Sequence, residues 1–163
     1  MMKKSEKTNV MRLLEQKHAA YESHFYTDTG AVSGTEVAAV LGEDPQQVFK
    51  TLVTTGKSGQ HYVFVIPVSK ELDLKKAADA VGEKKIEMLK AKELLPLTGY
   101  VHGGCSPVGM KKLFPTVIDA SSEYQKTIMV SGGRIGCQVE LTLEELKKVV
   151  PFQTAELVTD QTR

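Results

Sequence analysis

The run His61-Tyr62-Val63-Phe64-Val65-Ile66-Pro67-Val68 constrains the fold more than any other stretch of the chain. β-Branched and aromatic side chains pack well on a pleated, buried surface. Gly56 to Gln60 reads as a turn that folds this run back on Phe49-Lys50-Thr51-Leu52-Val53-Thr54-Thr55, a second strand-like segment. The chain is therefore expected to carry a β-hairpin at its centre.

Helical and extended segments alternate around that hairpin. Thr8 reads as an N-cap for a helix with Val10, Leu13, Leu14 and Lys17 on its period. Tyr21 to Tyr26 reads as a short strand. Ser33 with Glu36 is a capping box before Val37, Ala38, Val40 and Leu41, closed by Gly42. Asp44-Pro45 predicts a further helical turn. Leu74, Ala77, Ala78 and Val81 predict a helix stopped by Gly82, followed by a strand at 85–88 and a helix from Ala91 to Leu95. Thr116 to Asp119, Thr127 to Ser131 and Cys137 to Leu141 are strand-like. Thr142 with Glu145 opens a helix over Leu143 to Val150, Pro151 ends it, and Phe152 to Val158 reads as an edge strand. Hairpins mixed with short helices predict an α+β domain on one mixed sheet. No repeat or linker divides the chain, so 1–163 is expected to be one domain with short frayed termini.

Composition narrows the function classes. The 163 residues are 41% hydrophobic and 25% charged, enough for a real core. A formal net charge of +1 argues against a DNA-binding or other nonspecific nucleic-acid role driven by bulk charge. Local basic clusters remain at 70–76, 84–92 and 111–112. No apolar run approaches membrane-spanning length. No apolar stretch follows Met1-Met2-Lys3-Lys4, and two cysteines make no disulfide framework, so a cytoplasmic location is expected.

Three features could carry chemistry. Gly103-Gly104-Cys105-Ser106-Pro107-Val108-Gly109 is a stiff loop with exposed amides and a hydroxyl, suited to a small polar or anionic group. Alone it reads first as a turn, as most glycine-rich loops do. Lys50 sits among apolar residues, where it is either a surface lysine with its stem laid over them or a cation held against a phosphate or carbonyl oxygen. Ser131-Gly132-Gly133-Arg134 is a second glycine loop, in which Arg134 could meet a phosphate or be a solvated turn residue. His102, Cys105 and Cys137 fall short of a four-ligand metal set, and no acid is placed to orient a base for a Cys105 nucleophile. Neither a dinucleotide fingerprint nor a P-loop is present. His18, His24 and His61 read as surface or strand residues to which the sequence assigns no partner.

The ordered set Tyr26, Val48-Phe49-Lys50-Thr51-Leu52, Leu72-Asp73-Leu74-Lys75-Lys76, Thr98 to Gly109, Pro115-Thr116-Val117-Ile118-Asp119 and Val130 to Gly136 resembles the YbaK/EbsC family of Cys-tRNA(Pro) deacylases, related to the editing insertion domain of bacterial prolyl-tRNA synthetase. The match covers about residues 8–158. It implies one α+β domain with a curved, barrel-like mixed sheet ringed by short helices. It implies a trans-editing enzyme that cleaves the ester of cysteine mischarged onto tRNA(Pro), with the substrate's own thiol attacking and no cofactor or metal. Mischarged tRNA and prolyl-tRNA synthetase are the implied partners. The family's key residues fall on Tyr26, Lys50, Gly103 and Ser131, and the remaining loop positions Gly104, Ser106, Pro107, Gly109 and Arg134 would contact substrate. The family aspartate in Gly-Leu-Asp-x-Glu-Leu falls on Gln138, which hydrogen-bonds but carries no charge. The alternatives are a non-catalytic module binding tRNA ends or the synthetase, and a deacylase for another small residue such as Ala-tRNA(Pro).

Overall fold

In the computed structural model the described residues are 7–26 and 34–159. Helix α1 (Asn9–Gln16) starts where Thr8 accepts a hydrogen bond from the Met11 N–H at 3.2 Å, and it buries Val10, Met11 and Leu14. Strand β1 (Glu22–Phe25) and helix α2 (Gly34–Leu41) follow. The expected Ser33 cap lies outside the described residues. At Asp44 the expected helix is a single turn. The Asp44 carboxylate accepts from the Gln46 N–H, the Gln47 N–H reaches Asp44 O, and Val48 already pairs with Met129.

The central hairpin is β2 (Phe49–Gly56) with β3 (His61–Pro67). Helix α3 (Leu74–Val81) is capped by Asp73, which accepts from the Lys75 and Lys76 N–H groups, and closed by Gly82 at φ 74°. Strand β4 (Ile86–Met88) precedes α4 (Ala91–Thr98). This helix outruns its expected end at Leu95. Pro96 lacks a donor but has a helix-compatible φ, and left-handed Gly99 then closes the last turn on Leu95 O. Strand β5 (Thr116–Asp119) leads into a 3₁₀ turn at Ala120–Tyr124, unforeseen in the sequence and capped by the Asp119 carboxylate. Strands β6 (Ile128–Ser131) and β7 (Cys137–Leu141) precede α5 (Leu143–Leu146). Helix α5 stops short of Val150 because the Lys148 and Val149 N–H groups make i→i+3 bonds that tighten the chain into turns. The edge strand is β8 (Gln153–Ala155).

These strands form two sheets. One has five strands in the order β4-β2-β3-β5-β8, antiparallel through β3 and parallel from β3 to β8. The other is the antiparallel trio β1-β7-β6. The α+β class holds, and the sheets do not close into a barrel. They meet where Val48 bridges Met129 and the Met129 N–H bonds Gln47 O at 3.0 Å.

The main core lies between the sheets. Phe49, Val53, Val63, Val65 and Ile118 meet Ile128, Val130, Cys137, Val139 and Leu141, with α1 closing one end. Behind the large sheet, Phe64, Ile66 and Val117 pack on α3 through Ala77 and Ala78. Strand β3 is thus covered on both faces, the physical reason for its unbroken apolar run. The small sheet differs. Cys137, Val139 and Leu141 face the core, while Gln138 and Glu140 alternate to a polar face. Among the described residues no helix is long and apolar enough to cross a membrane.

Candidate active site

A cleft of about 540 Å³ opens where the first half of β2 passes the end of the small sheet. Strand β2 contributes Phe49 through Val53, α2 contributes Thr35 and Val37, and the start of α4 contributes Ala91 and Leu94. Tyr26, Lys50, Gly103, Ser131 and Gln138 all reach it, although they lie as many as 112 positions apart between Tyr26 and Gln138. Five of the expected site residues therefore converge on one concave surface.

Lys50 projects from β2 opposite Ile66 and is half-buried. Among the described residues its ammonium has no carboxylate partner. The strand's alternation puts Phe49 and Val53 on its opposite face, in the core at 3% and 4% exposed, so the lysine's position is set by packing. Tyr26 lies just past β1, where its N–H bonds Gly136 O at 2.9 Å. Burial pushes its phenol above the ordinary value, opposed in part by the Gly136 backbone. Ser131 ends β6, directly across the ladder from Gln138, and its hydroxyl oxygen accepts from the Gly133 N–H at 3.1 Å. The Ser131 proton is thus left for another acceptor.

The rest of the central glycine loop is built differently from the expectation. Gly103 lines the cleft at φ +89°. Gly104 is buried against the second glycine loop, Ser106 is fully buried with its oxygen accepting from the Val108 N–H, and Pro107 is buried. Gly109 packs against Tyr100 and Leu13. Arg134 lies against Cys137. None of these five lines the cleft; they shape the loops that present Gly103 and Ser131.

Cys105 and His102 also line the cleft. Burial pushes the Cys105 thiol up to about 12, so it is a neutral thiol at neutral pH. Cys137 is fully buried and its thiol is likewise raised by burial. His24, without an assigned partner in the sequence, bonds Glu140 through Nε2 at 2.8 Å, and His61 meets Thr55 at 3.1 Å. Among the described residues, metal-type donors gather at Glu22, His24 and Glu140 rather than at His102, Cys105 and Cys137.

Glu43 was not visible as a site residue. Its carboxylate faces the Gln138 amide, and with the amide turned so that its nitrogen points to Glu43, both carboxylate oxygens accept from it at 3.0 Å. It follows α2 in a polar stretch with no local pattern, and only the packing of α2 over the small sheet's polar face reveals it.

Residues 29–149 match the model of the aminoacyl-tRNA editing domain. The chain belongs to the aminoacyl-tRNA editing domain family. This editing domain is 44% identical over 160 residues to the protein of Enterococcus faecalis provisionally named Cys-tRNA(Pro)/Cys-tRNA(Cys) deacylase EbsC, covering 98% of each chain. It is 31% identical over 98 residues to the proline–tRNA ligase of Thermosipho melanesiensis, which is 60% of this chain and 17% of the ligase. The crystal structure of a candidate trans-editing enzyme for prolyl tRNA synthetase superposes with a TM-score of 0.81 at 26% identity, covering 94% of this editing domain and 99% of that chain.

Proposed function

We propose that this protein is a single-domain, trans-editing deacylase that removes cysteine mischarged onto tRNA(Pro) by cleaving the aminoacyl ester. The observation that carries the reading is the convergence of Tyr26, Lys50, Gly103, Ser131 and Gln138 on one cleft, in a chain related end to end to a protein named for that activity. An aminoacyl ester is already activated, so the site needs mainly to hold it and to stabilise charge on the carbonyl oxygen. Lys50 is the cation suited to that oxygen or to the adjacent phosphate. The Gly103 backbone allows close approach, and the Ser131 hydroxyl supplies a donor. The neutral, half-buried Cys105 thiol supports chemistry in which the protein provides no nucleophile. The substrate sulfur then displaces the ribose oxygen, and that oxygen takes up the thiol proton.

Prolyl-tRNA synthetase fits as a partner that presents the mischarged tRNA, because a net charge of +1 gives weak affinity for RNA. A cytoplasmic location accompanies this role. A non-catalytic tRNA-binding module is the less favoured reading, since it leaves the polar groups that converge on a largely apolar cleft without a task. Incubating the protein with Cys-tRNA(Pro), Ala-tRNA(Pro) and Pro-tRNA(Pro) tests the proposal. Rapid loss of cysteine alone is expected. Faster release of alanine would reassign the substrate, and release of none would overturn the enzyme reading.

A further inference from the structure

His24, Gln138 and Ser131 form one row across the small sheet, because His24 and Ser131 are the two ladder partners of Gln138. Their side chains share the polar face, opposite Cys137 and Val139. Gln138 is only 5% exposed, so its amide has to be satisfied by its surroundings. One orientation achieves this. Its Nε2 donates to Glu43 Oε1 and Oε2, each at 3.0 Å, whereas the reverse would set a carbonyl oxygen against a carboxylate. Glu43 is itself tied down, its N–H bonding Ala38 O at 2.8 Å past the end of α2. Burial raises the Glu43 carboxyl above its ordinary value and Glu140 adds to this, while His24 and the Gln138 amide oppose it. The negative charge at this spot is therefore poorly compensated by the protein alone.

With its nitrogen committed to Glu43, the amide's other polar atom is the carbonyl oxygen, which in this orientation faces donors and keeps its second lone pair for a ligand in the cleft. That atom only accepts. Ester oxygens and phosphates also only accept, so none of them can bond it. The α-ammonium of an aminoacyl group only donates, and its positive charge is further favoured by the carboxylate behind the amide. Glutamine at 138 thus moves the negative charge back by one side chain, onto Glu43, instead of deleting it.

We propose that Glu43 is a positioning residue that locks the Gln138 amide, so that the carbonyl oxygen of Gln138 receives the free α-ammonium of the aminoacyl ester and the cleft selects for it. This inference rests on the deacylase reading above. It is tested by comparing Cys-tRNA(Pro) with 3-mercaptopropionyl-tRNA(Pro), which keeps the thiol and the ester and lacks only the amine. Each single-turnover rate is divided by the uncatalysed rate of the same ester. The wild-type protein is expected to favour the amine-bearing substrate at least tenfold. In Glu43→Gln, whose amide can hold Gln138 in either orientation, that preference should shrink several-fold with the deamino rate unchanged. Glu43→Asp should restore part of it. Wild-type protein that cleaves both esters equally would overturn the inference while leaving the deacylase reading intact. So would a Glu43→Gln protein of unchanged melting temperature that slows both esters by the same factor. Cleavage of neither ester by the wild type would remove the deacylase reading and this inference with it.

Discussion

A methyl group on Gly104 would stand 2.8 Å from the Cα of Arg134, so the two glycine loops touch backbone to backbone. Neither backbone can yield as a flexible side chain would. Gly104→Ala should force the loops apart, with a stability loss of about 1–3 kcal/mol, and should impair deacylation through displacement of Gly103 and Ser131. At Gly103 the nearest obstacle is the Ile135 side chain at 3.3 Å, which can rotate, but φ is +89°. Gly103→Ala should therefore lose about 1–2 kcal/mol through backbone strain, with a disproportionate loss of turnover because Gly103 lines the cleft and its backbone would have to shift. Melting temperature and single-turnover rate on the same preparations separate the two. A Gly104→Ala protein that melts like the wild type would contradict the contact.

Lys50→Ala should retain the wild-type melting temperature, since among the described residues the ammonium has no carboxylate partner to lose. Its deacylation should fall by about 2–4 kcal/mol of transition-state stabilisation, or 30- to 1,000-fold. An undiminished rate would make Lys50 a surface lysine whose stem merely covers apolar neighbours.

Cys105 should react slowly with iodoacetamide at pH 8 in the folded protein and quickly after denaturation, because burial pushes its thiol up to about 12. Cys105→Ala should keep activity within about tenfold, or 1.4 kcal/mol. Rapid alkylation of the native protein with parallel inactivation would restore Cys105 as a candidate nucleophile.

Glu140 should make stability depend on acid pH. The Thr127 hydroxyl donates to it at 2.6 Å and His24 lies at 2.8 Å, and together they hold its carboxyl below the ordinary 4.5 against the opposing effect of burial. A carboxyl lowered in the folded state contributes stability that is fully present above its unfolded value and is lost as pH falls through its folded value. Glu140→Gln should therefore melt below the wild type at neutral pH, and the gap should close as pH drops below about 4.3. A gap independent of pH would assign the effect to packing.

Thr51 lines the cleft, yet among the described residues its buried hydroxyl oxygen has no hydrogen-bond partner. A buried polar atom left unpaired costs about 1–3 kcal/mol, so Thr51→Val should raise the melting temperature. A lower melting temperature would show that the hydroxyl is satisfied in solution.

The pattern of the sequence determined most of the elements. Period-two alternation in β2, the apolar run of β3, and the caps at Thr8, Asp73 and Thr142 act over a few residues, and each appears in the structure as a local hydrogen bond or a buried face. Ordered motifs likewise brought Tyr26, Lys50, Gly103, Ser131 and Gln138 forward as a set. Tertiary structure decided what local rules do not reach. The junction of the two sheets depends on Val48 meeting Met129 across 81 positions, and the end of α4 depends on the left-handed Gly99 and not on Pro96. Ser106 and Gly104 left the cleft because the core claimed one and the neighbouring loop the other. Glu43 joined Gln138 for the same reason. A buried amide takes whatever partner packing sets beside it, and that partner lay 95 residues away, in a stretch whose own sequence carries no sign of it.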